Sequence, residues 1–295
     1  MPTQIEPGFY REQEQPRIEK DVRHGIVQWY QGFNDWDNGI STRIGTATLK
    51  PGYFAPRHCH TFAQFRYAIG GAITYAGVRI EEGECVYVPE GALYGEAQVD
   101  PDGDGHYWAD MQFSGPSGIR YCSPPEMEAA RREIEDFGTV DSYAGTFTYS
   151  DDNRTVDVMD ALYAHLMDGA VPDFPEPRYH QMIHIRPAEF RPRAALAGHE
   201  AAVKDLLQVT EVGPRVMEIA MDSGGFVDGG QQSFQQAFWL LEGAIEMAGE
   251  RYDGVSFGYF PADKPFPRFT ALEDARLITL HWSPVHGPSL TPSHV

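Results

Sequence analysis

Short stretches of apolar and aromatic residues, many alternating with polar residues, recur along the chain between glycine and proline residues. Alternation with a period of two is typical of β-strands that bury one face, and Gly and Pro mark the turns between them. The chain also contains 15 Tyr and 17 Phe residues, which favour strands. The sequence therefore predicts an all-β protein. The strands predicted in the first half are Ile26–Trp29, Thr42–Leu49, Tyr53–His60, Gln64–Tyr75, Cys85–Val88 and Tyr107–Phe113.

Two segments in the middle of the chain have helical character instead. The first is Glu126–Phe137, which follows two prolines, carries acidic residues in its first turn and ends before Gly138. Acidic residues at the start of a helix and glycine after its end are common helix boundaries. The second predicted helix is Val156–Met167. We interpret residues 123–177 as a short helical linker between two β domains.

The two halves of the chain are related by a repeat with an offset of 172 residues. A repeat of this length indicates a duplicated domain rather than a unit of a solenoid. We therefore predict an N-terminal β domain at residues 1–122 and a C-terminal β domain at residues 178–295, joined by the linker. Matching positions include Gly52 and Gly224, Phe62 and Phe234, Gln64 and Gln236, Gly71 and Gly243, Tyr87 and Tyr259, and Pro89 and Pro261.

The net charge narrows the classes of partner, and the cysteine content indicates the redox environment. The net charge of −20 repels phosphate backbones and anionic lipids, so we expect neither nucleic acid nor membrane partners. The expectation of a small-molecule substrate rests instead on the candidate chemistry described next. The chain contains no stretch of 18 apolar residues, so we expect no membrane-spanning helix. The N-terminus lacks the apolar region of a secretory signal. Cys59, Cys85 and Cys122 form no CxxC motif and are expected to be reduced thiols in a cytoplasmic protein.

The candidate chemistry lies at His58, His60 and Gln64. Side chains two residues apart on a strand point to the same face, so two imidazoles and one amide oxygen would lie together on one face of a small sheet. Such a set is a three-point cradle for one divalent transition metal, with Fe, Mn, Zn, Ni and Cu all open. The alternative is that both histidines bond to the backbone, while Gln64 only orients a ligand or the substrate.

These residues resemble the two sequence motifs of the cupin superfamily, and the duplication makes the chain similar to a bicupin. The first motif is a glycine, five residues, His-x-His, three or four residues, an acid, six residues and a glycine. Gly52, His58, His60 and Gly71 match it, and Gln64 replaces the acid. In the second motif Gly83, Pro89 and Gly91 match, and Tyr94 replaces the expected histidine. The resemblance implies a duplicated jelly-roll β-barrel fold and allows for a homodimer.

The second copy lacks the imidazoles. Gly230 and Gln232 stand where the first copy has His58 and His60, and Phe266 stands at the position of Tyr94. We therefore expect one metal per chain, in the first barrel, and a second barrel that is degenerate and filled with apolar side chains.

Two further residues are candidates for catalysis. Tyr94 could act as an acid or base beside the metal, or it could only shape the pocket, as Phe266 would in the second copy. Arg66 shares the parity of Gln64 and is expected to need an anionic partner inside the barrel. That partner is either a substrate carboxylate or enolate, or an internal acid, for which Asp110 and Glu84 are the candidates.

Three functions remain open. The first is a metal-dependent dioxygenase-type oxidoreductase that acts on a small organic acid, phenol or dicarbonyl. The second is a redox-neutral lyase, isomerase or hydrolase that uses the metal as a Lewis acid and Tyr94 as acid and base. The third is a non-catalytic protein that binds a small ligand. Cupin resemblance alone does not choose among them, because one fold supports many reactions.

Overall fold

The computed structural model describes residues 7–22, 25–34, 43–55, 57–60, 62–113, 124–166, 177, 179–194, 200–209, 214–262 and 264–283. The strands of the first half are β1 (Gly8–Arg11), β2 (Arg17–Val22), β3 (Gly25–Asn34), β4 (Arg43–Leu49), β5 (Phe54–Ala55), β6 (Ala63–Gly71), β7 (Ile73–Tyr75), β8 (Val78–Ile80), β9 (Cys85–Val88), β10 (Ala97–Gln98) and β11 (His106–Phe113).

The middle region contains two helices and a small sheet. Its elements are α1 (Pro124–Ile134), β12 (Gly138–Asp141), β13 (Thr146–Tyr149), β14 (Thr155–Asp157) and α2 (Val158–Leu166). Both helices were predicted, but the antiparallel sheet between them was not, because its strands are only three or four residues long. The helices and the sheet share a small apolar core that includes Ile134, Phe147 and Leu162.

The strands of the second half follow the same order as those of the first. They are β15 (Ile183–Ile185), β16 (Arg193–Ala194), β17 (Ala202–Gln208), β18 (Arg215–Met221), β19 (Phe226–Val227), β20 (Gly230–Gln231), β21 (Gln235–Glu242), β22 (Ala244–Met247), β23 (Glu250–Asp253), β24 (Ser256–Phe260), β25 (Pro265–Phe266), β26 (Phe269–Ala271) and β27 (Ala275–Trp282).

Each half forms a barrel from antiparallel sheets. In the first barrel a seven-stranded sheet, β15-β9-β6-β11-β4-β3-β2, packs against a four-stranded sheet, β5-β10-β7-β8. In the second barrel a seven-stranded sheet, β1-β24-β21-β27-β18-β17-β16, packs against a four-stranded sheet, β19-β26-β22-β23, with the pair β20-β25 beside it. The predicted all-β fold with two jelly-roll barrels and a short helical linker is confirmed.

Strand alternation places the outward faces of the two large sheets against each other. Phe65 and Tyr67 on β6 belong to the same buried apolar cluster as Trp239 on β21. The indole Nε1 of Trp239 donates a hydrogen bond to the carbonyl oxygen of Gly45 in the first barrel, at 3.2 Å. Residues of opposite parity, such as Gln64 and Phe238, therefore face the barrel interiors.

The edge strand of each large sheet comes from the other half of the chain. Strand β1 pairs with β24 of the second barrel, with Gly8 opposite Tyr259. Strand β15, which follows the linker, pairs with β9 of the first barrel, with Ile183 opposite Tyr87. The domain limits at residues 122 and 177 stay a prediction, but the two barrels exchange edge strands across them.

No helix among the described residues combines the length and the apolar character that a membrane span requires. Cys59 and Cys85 have free thiols, and burial raises the pKa of the Cys85 thiol. Cys122 lies outside the described residues.

Candidate functional site

His58 and Tyr94 are held opposite each other by the backbone. The N–H of His58 donates to the carbonyl oxygen of Tyr94 at 3.0 Å, and the N–H of Tyr94 donates back at 2.9 Å. This isolated bridge corrects the predicted strand Tyr53–His60, of which only Phe54–Ala55 is a regular strand. The imidazoles of His58 and His60 nevertheless lie edge to face, with ring centroids 4.9 Å apart.

A chain of hydrogen bonds joins three of the predicted site residues. The hydroxyl of Tyr94 lies 3.0 Å from Nε2 of His60 and donates to Oε1 of Gln64 at 2.9 Å. Gln64 is on β6, and both it and Tyr94 are buried. The phenol hydroxyl is therefore held between a ring nitrogen and an amide oxygen.

Arg66 lies two residues after Gln64 and is held in a fixed position. Its Nε donates to Oδ1 of Asp110 at 3.2 Å, and its NH1 donates to the hydroxyl of Tyr75 at 2.6 Å. The guanidinium also lies 4.3 Å from the ring centroid of Trp108, a cation–π contact. Burial alone would lower the pKa of Arg66, but Tyr75, Tyr94 and Asp110 outweigh it and raise that pKa.

Of the two acids considered as partners of Arg66, Asp110 is the one that the structure brings to it. Glu84 instead accepts hydrogen bonds from Nε2 of His184 at 2.9 Å and from Nε of Arg186 at 3.2 Å. The guanidinium of Arg66 is therefore neutralised inside the barrel.

Tyr75 was missed by the sequence reasoning, although the repeat contains a signal for it. Arg66 and Tyr75 correspond to Phe238 and Met247, so both members of the pair become apolar together in the second copy. Two polar positions that change together indicate contact between them.

All five predicted site residues line one cavity of about 160 Å³ in the first barrel. Tyr75, Trp108 and Gln112 complete much of its wall. The volume is below the roughly 300–1,000 Å³ of typical pockets for drug-sized ligands, so the cavity suits a substrate with few atoms. His106, on the same strand as Trp108, has a pKa lowered to about 3 by burial and by Arg66, so its imidazole is neutral.

The donor atoms can be tested for their fit to a metal ion. Among the described residues no group of three or more His, Cys, Asp and Glu side chains could hold one, so Gln64 would have to join the two imidazoles as the third donor. All three side chains line the same cavity, and imidazole nitrogens and an amide oxygen are donors that first-row divalent metals accept. They form an uncharged set of donors.

The second barrel has the same frame at this place without the same chemistry. Gly230 pairs with Phe266, as His58 pairs with Tyr94 in the first barrel. Phe238 and Phe266 are buried there, as predicted. A cavity of about 310 Å³ nevertheless remains beside them, so the expectation of a filled interior was wrong.

No family model matches the sequence, and no curated protein sequence matches it. Among solved structures, the chain is similar to a putative dioxygenase from Nostoc punctiforme, with 15% identity and a TM-score of 0.63 over 100% of this chain and 88% of that one. It is also similar to oxalate decarboxylase from Bacillus subtilis, with 14% identity and a TM-score of 0.55 over 97% of this chain and 80% of that one. These likenesses show a duplicated cupin-type fold.

Proposed function

We propose that the chain is a metal-dependent enzyme whose first barrel converts a small organic acid, phenol or dicarbonyl. The observation that carries the proposal is the convergence of two imidazoles, an amide oxygen, a phenol and a buried guanidinium on one small cavity. The names of the similar structures support it, since one is a putative dioxygenase and the other a decarboxylase described with Mn(II) centres.

His58, His60 and Gln64 would hold the metal, and Tyr94 would lie beside it. Imidazole and amide ligands suit Fe, Mn, Zn, Ni or Cu. When bound, the ion would polarise a substrate oxygen as a Lewis acid, and a redox-active ion would also exchange electrons with O₂. Because none of these protein donors carries a negative charge, an anionic substrate would complement the ion best.

Arg66 would bind and orient that anion. Asp110 and Tyr75 fix its guanidinium, while Trp108 packs against it, so little side-chain entropy remains to be lost on binding. A guanidinium held in this way offers a planar donor that matches the geometry of a carboxylate or enolate.

Tyr94 would move the proton. Its hydroxyl lies in the cavity wall next to His60 and Gln64, so it could give a proton to a substrate oxygen or carbon bound there and receive one in return. The same contacts favour the redox-neutral alternative, in which a lyase, isomerase or hydrolase needs a placed acid and base and no oxidant.

One experiment separates the candidates. Elemental analysis of the purified full chain gives the metal, and the protein loaded with that metal is then incubated with small dicarboxylates, catechols and β-diketones. Substrate-dependent O₂ consumption supports the dioxygenase, whereas substrate loss under argon supports the redox-neutral enzyme. A chain that takes up none of the five metals contradicts the proposal and leaves the non-catalytic binding protein.

A further inference from the structure

We propose that the second barrel is a binding site for a small apolar carboxylic acid, which sits in the cavity lined by Arg215, Gln236 and His281. The cavity of about 310 Å³ is larger than the one of about 160 Å³ in the first barrel. It lies at the low end of the roughly 300–1,000 Å³ that small-molecule pockets occupy.

The three polar residues form a row across neighbouring strands. Gln236 on β21 lies opposite His281 on β27, and His281 lies opposite Arg215 on β18. Directly opposed residues of an antiparallel sheet project to the same face. The row therefore presents an amide, an imidazole and a guanidinium side by side to one cavity.

Each member of the row has a buried nitrogen that finds no partner among the described residues. These atoms are Nε2 of Gln236, Nε2 of His281 and Nε of Arg215. Gln236 is only 2% exposed, so bulk water does not replace the missing protein partner. Buried polar atoms are nearly always paired, and three adjacent orphaned nitrogens on one wall indicate a ligand that supplies acceptor oxygens.

The charges around the cavity favour an anion. Arg215 and Arg193 both line the cavity, and both bond to the single carboxylate of Asp205, at 2.5 and 2.6 Å. The other acid on the wall, Asp228, is neutralised by Arg268. One positive charge is therefore in excess here, although the chain as a whole has a net charge of −20.

His281 contributes a neutral ring. Burial and the nearby charge of Arg215 lower the pKa of His281 to about 3, so its imidazole can donate one hydrogen bond without adding charge. The ring of Phe234 stacks on it with centroids 4.7 Å apart, which fixes its orientation. A carboxylate can thus accept bonds from the amide and the imidazole while it faces the guanidinium.

Much of the rest of the wall is apolar. Val203, Met217, Ile219, Phe238 and Phe266 line it and belong to the buried core of the second barrel. A ligand with an apolar or aromatic body beyond its acid group satisfies both parts of the wall. A fully polar anion such as phosphate does not, because it would lose hydration against these side chains.

This site is independent of the metal chemistry proposed for the first barrel. Gln232 and Phe266 stand where the first barrel has His60 and Tyr94, so the imidazole pair is absent. The ligand is bound by protein donors alone, and its binding tests nothing about the first barrel.

The test is a calorimetric titration of the full chain with benzoate and hexanoate, with benzamide as the neutral match to benzoate. We expect both acids to bind and benzamide to bind at least about tenfold more weakly, because charged hydrogen bonds are the stronger ones. The same dissociation constants are expected in His58→Ala/His60→Ala. The proposal is overturned if neither acid binds, if benzamide binds equally well, or if binding disappears in that double variant.

Two substitutions then locate the site. Gln236→Leu and Arg215→Met should each weaken benzoate binding by about tenfold to a hundredfold, as loss of a hydrogen bond to a charged group predicts. Gln208→Leu, which removes an exposed amide on the neighbouring strand β17, should leave it unchanged. Equal affinity in all three variants would overturn the assignment.

A second measurement avoids the substitutions in case they unfold the chain. A crystal of the wild-type protein soaked with 4-bromobenzoate should show an anomalous peak within the second barrel, with the carboxylate near Gln236 and His281. A peak only in the first barrel, or none in the second at a concentration that saturates the titration, would contradict the proposal.

Discussion

The two barrels share a frame but differ in what lines it. At corresponding positions the first barrel has His60, Gln64 and Tyr94, joined by hydrogen bonds, while the second has Gln232, Gln236 and Phe266. Strand order and the alternation of inward and outward residues are the same in both. The chemistry therefore depends on a few inward positions, at which the same sheet accommodates either polar or apolar side chains.

The buried ion pair of the first barrel is a second difference between the two barrels. Arg66 lies opposite Asp110 in the first barrel, and Phe238 lies opposite Thr279 in the second. Because a charge buried without its partner is costly, the two members of the pair differ between the barrels together. The first barrel keeps a paired charge at the cavity wall, and the second keeps an aromatic ring there.

The largest expected effect comes from removing the imidazoles that distinguish the first barrel. His58→Ala/His60→Ala should abolish metal binding and activity, because only neutral oxygen donors then remain. Metal per chain is measured by elemental analysis and folding by circular dichroism. Gln232→Ala, at the position in the second barrel that matches His60, is the control and should keep the full metal content. Unchanged metal in the double variant would disprove the assignment.

The second prediction concerns the Tyr94 hydroxyl, whose removal gives the first barrel the phenyl ring that the second barrel has at this position. Tyr94→Phe should keep the metal and reduce kcat by about 10²–10⁴-fold, the usual contribution of a placed acid or base. Steady-state kinetics and metal analysis check it. Loss of the metal would instead make Tyr94 a ligand, and full activity would limit it to shaping the pocket. Phe266→Tyr is the matched control, and it should not change kcat.

The third prediction concerns Arg66, whose side chain is 12% exposed while that of Asp110 is 9% exposed. Arg66→Met should lower the free energy of unfolding by about 3–5 kcal/mol, because it leaves Asp110 buried and unpaired. Urea denaturation measures this loss. Arg66→Phe/Asp110→Thr, which installs the pair of the second barrel, should recover most of the stability but none of the activity. A single variant as stable as the wild type would contradict the structural part of the prediction.

The smallest effect is expected for Glu84, which binds His184 on β15, the edge strand that the second half contributes to the first barrel. Burial alone would raise the pKa of Glu84, but the backbone of Glu81 and the side chains of His184 and Arg186 outweigh it and lower that pKa. Its folded pKa is below its unfolded value, so this contribution to stability is present above about pH 4.3 and is lost as the pH falls through the folded pKa.

The size of that contribution follows from its hydrogen bonds. Glu84→Gln should lower the free energy of unfolding at pH 7 by about 1–2 kcal/mol. The difference from the wild type should shrink as the pH is lowered from 5 to 3, and urea denaturation at each pH measures it. A difference that stays constant with pH would show that Glu84 contributes through packing rather than charge. Glu81→Gln, an exposed change nearby, is the control.

The sequence predicted the frame and the position of the candidate site because both depend on local spacing. Parity placed Gln64 and Arg66 in one cavity, the spacing of the motif placed His58 and His60 beside them, and the repeat identified Phe238 and Phe266 as buried. These inferences need only the alternation of a strand and a constant offset between the copies.

Features that depend on the pairing of distant strands could not be predicted in this way. The row of Gln236, His281 and Arg215 arises from the register among three strands, and nothing in each strand alone specifies that register. The same holds for Tyr75, which reaches Arg66 from the opposite sheet. The exchange of β1 and β15 was likewise invisible, because short edge strands carry little pattern of their own.

The exchange of edge strands determines when each barrel can finish folding during synthesis. Strand β1 leaves the ribosome before the other strands of either barrel, but its partner β24 is made about 245 residues later, a delay of roughly 10–50 s at 5–20 residues per second. The first barrel lacks its edge strand until β15 has emerged, after the whole linker. The first barrel is therefore completed by residues that already belong to the second half, and the second barrel by a segment that was made before the first barrel.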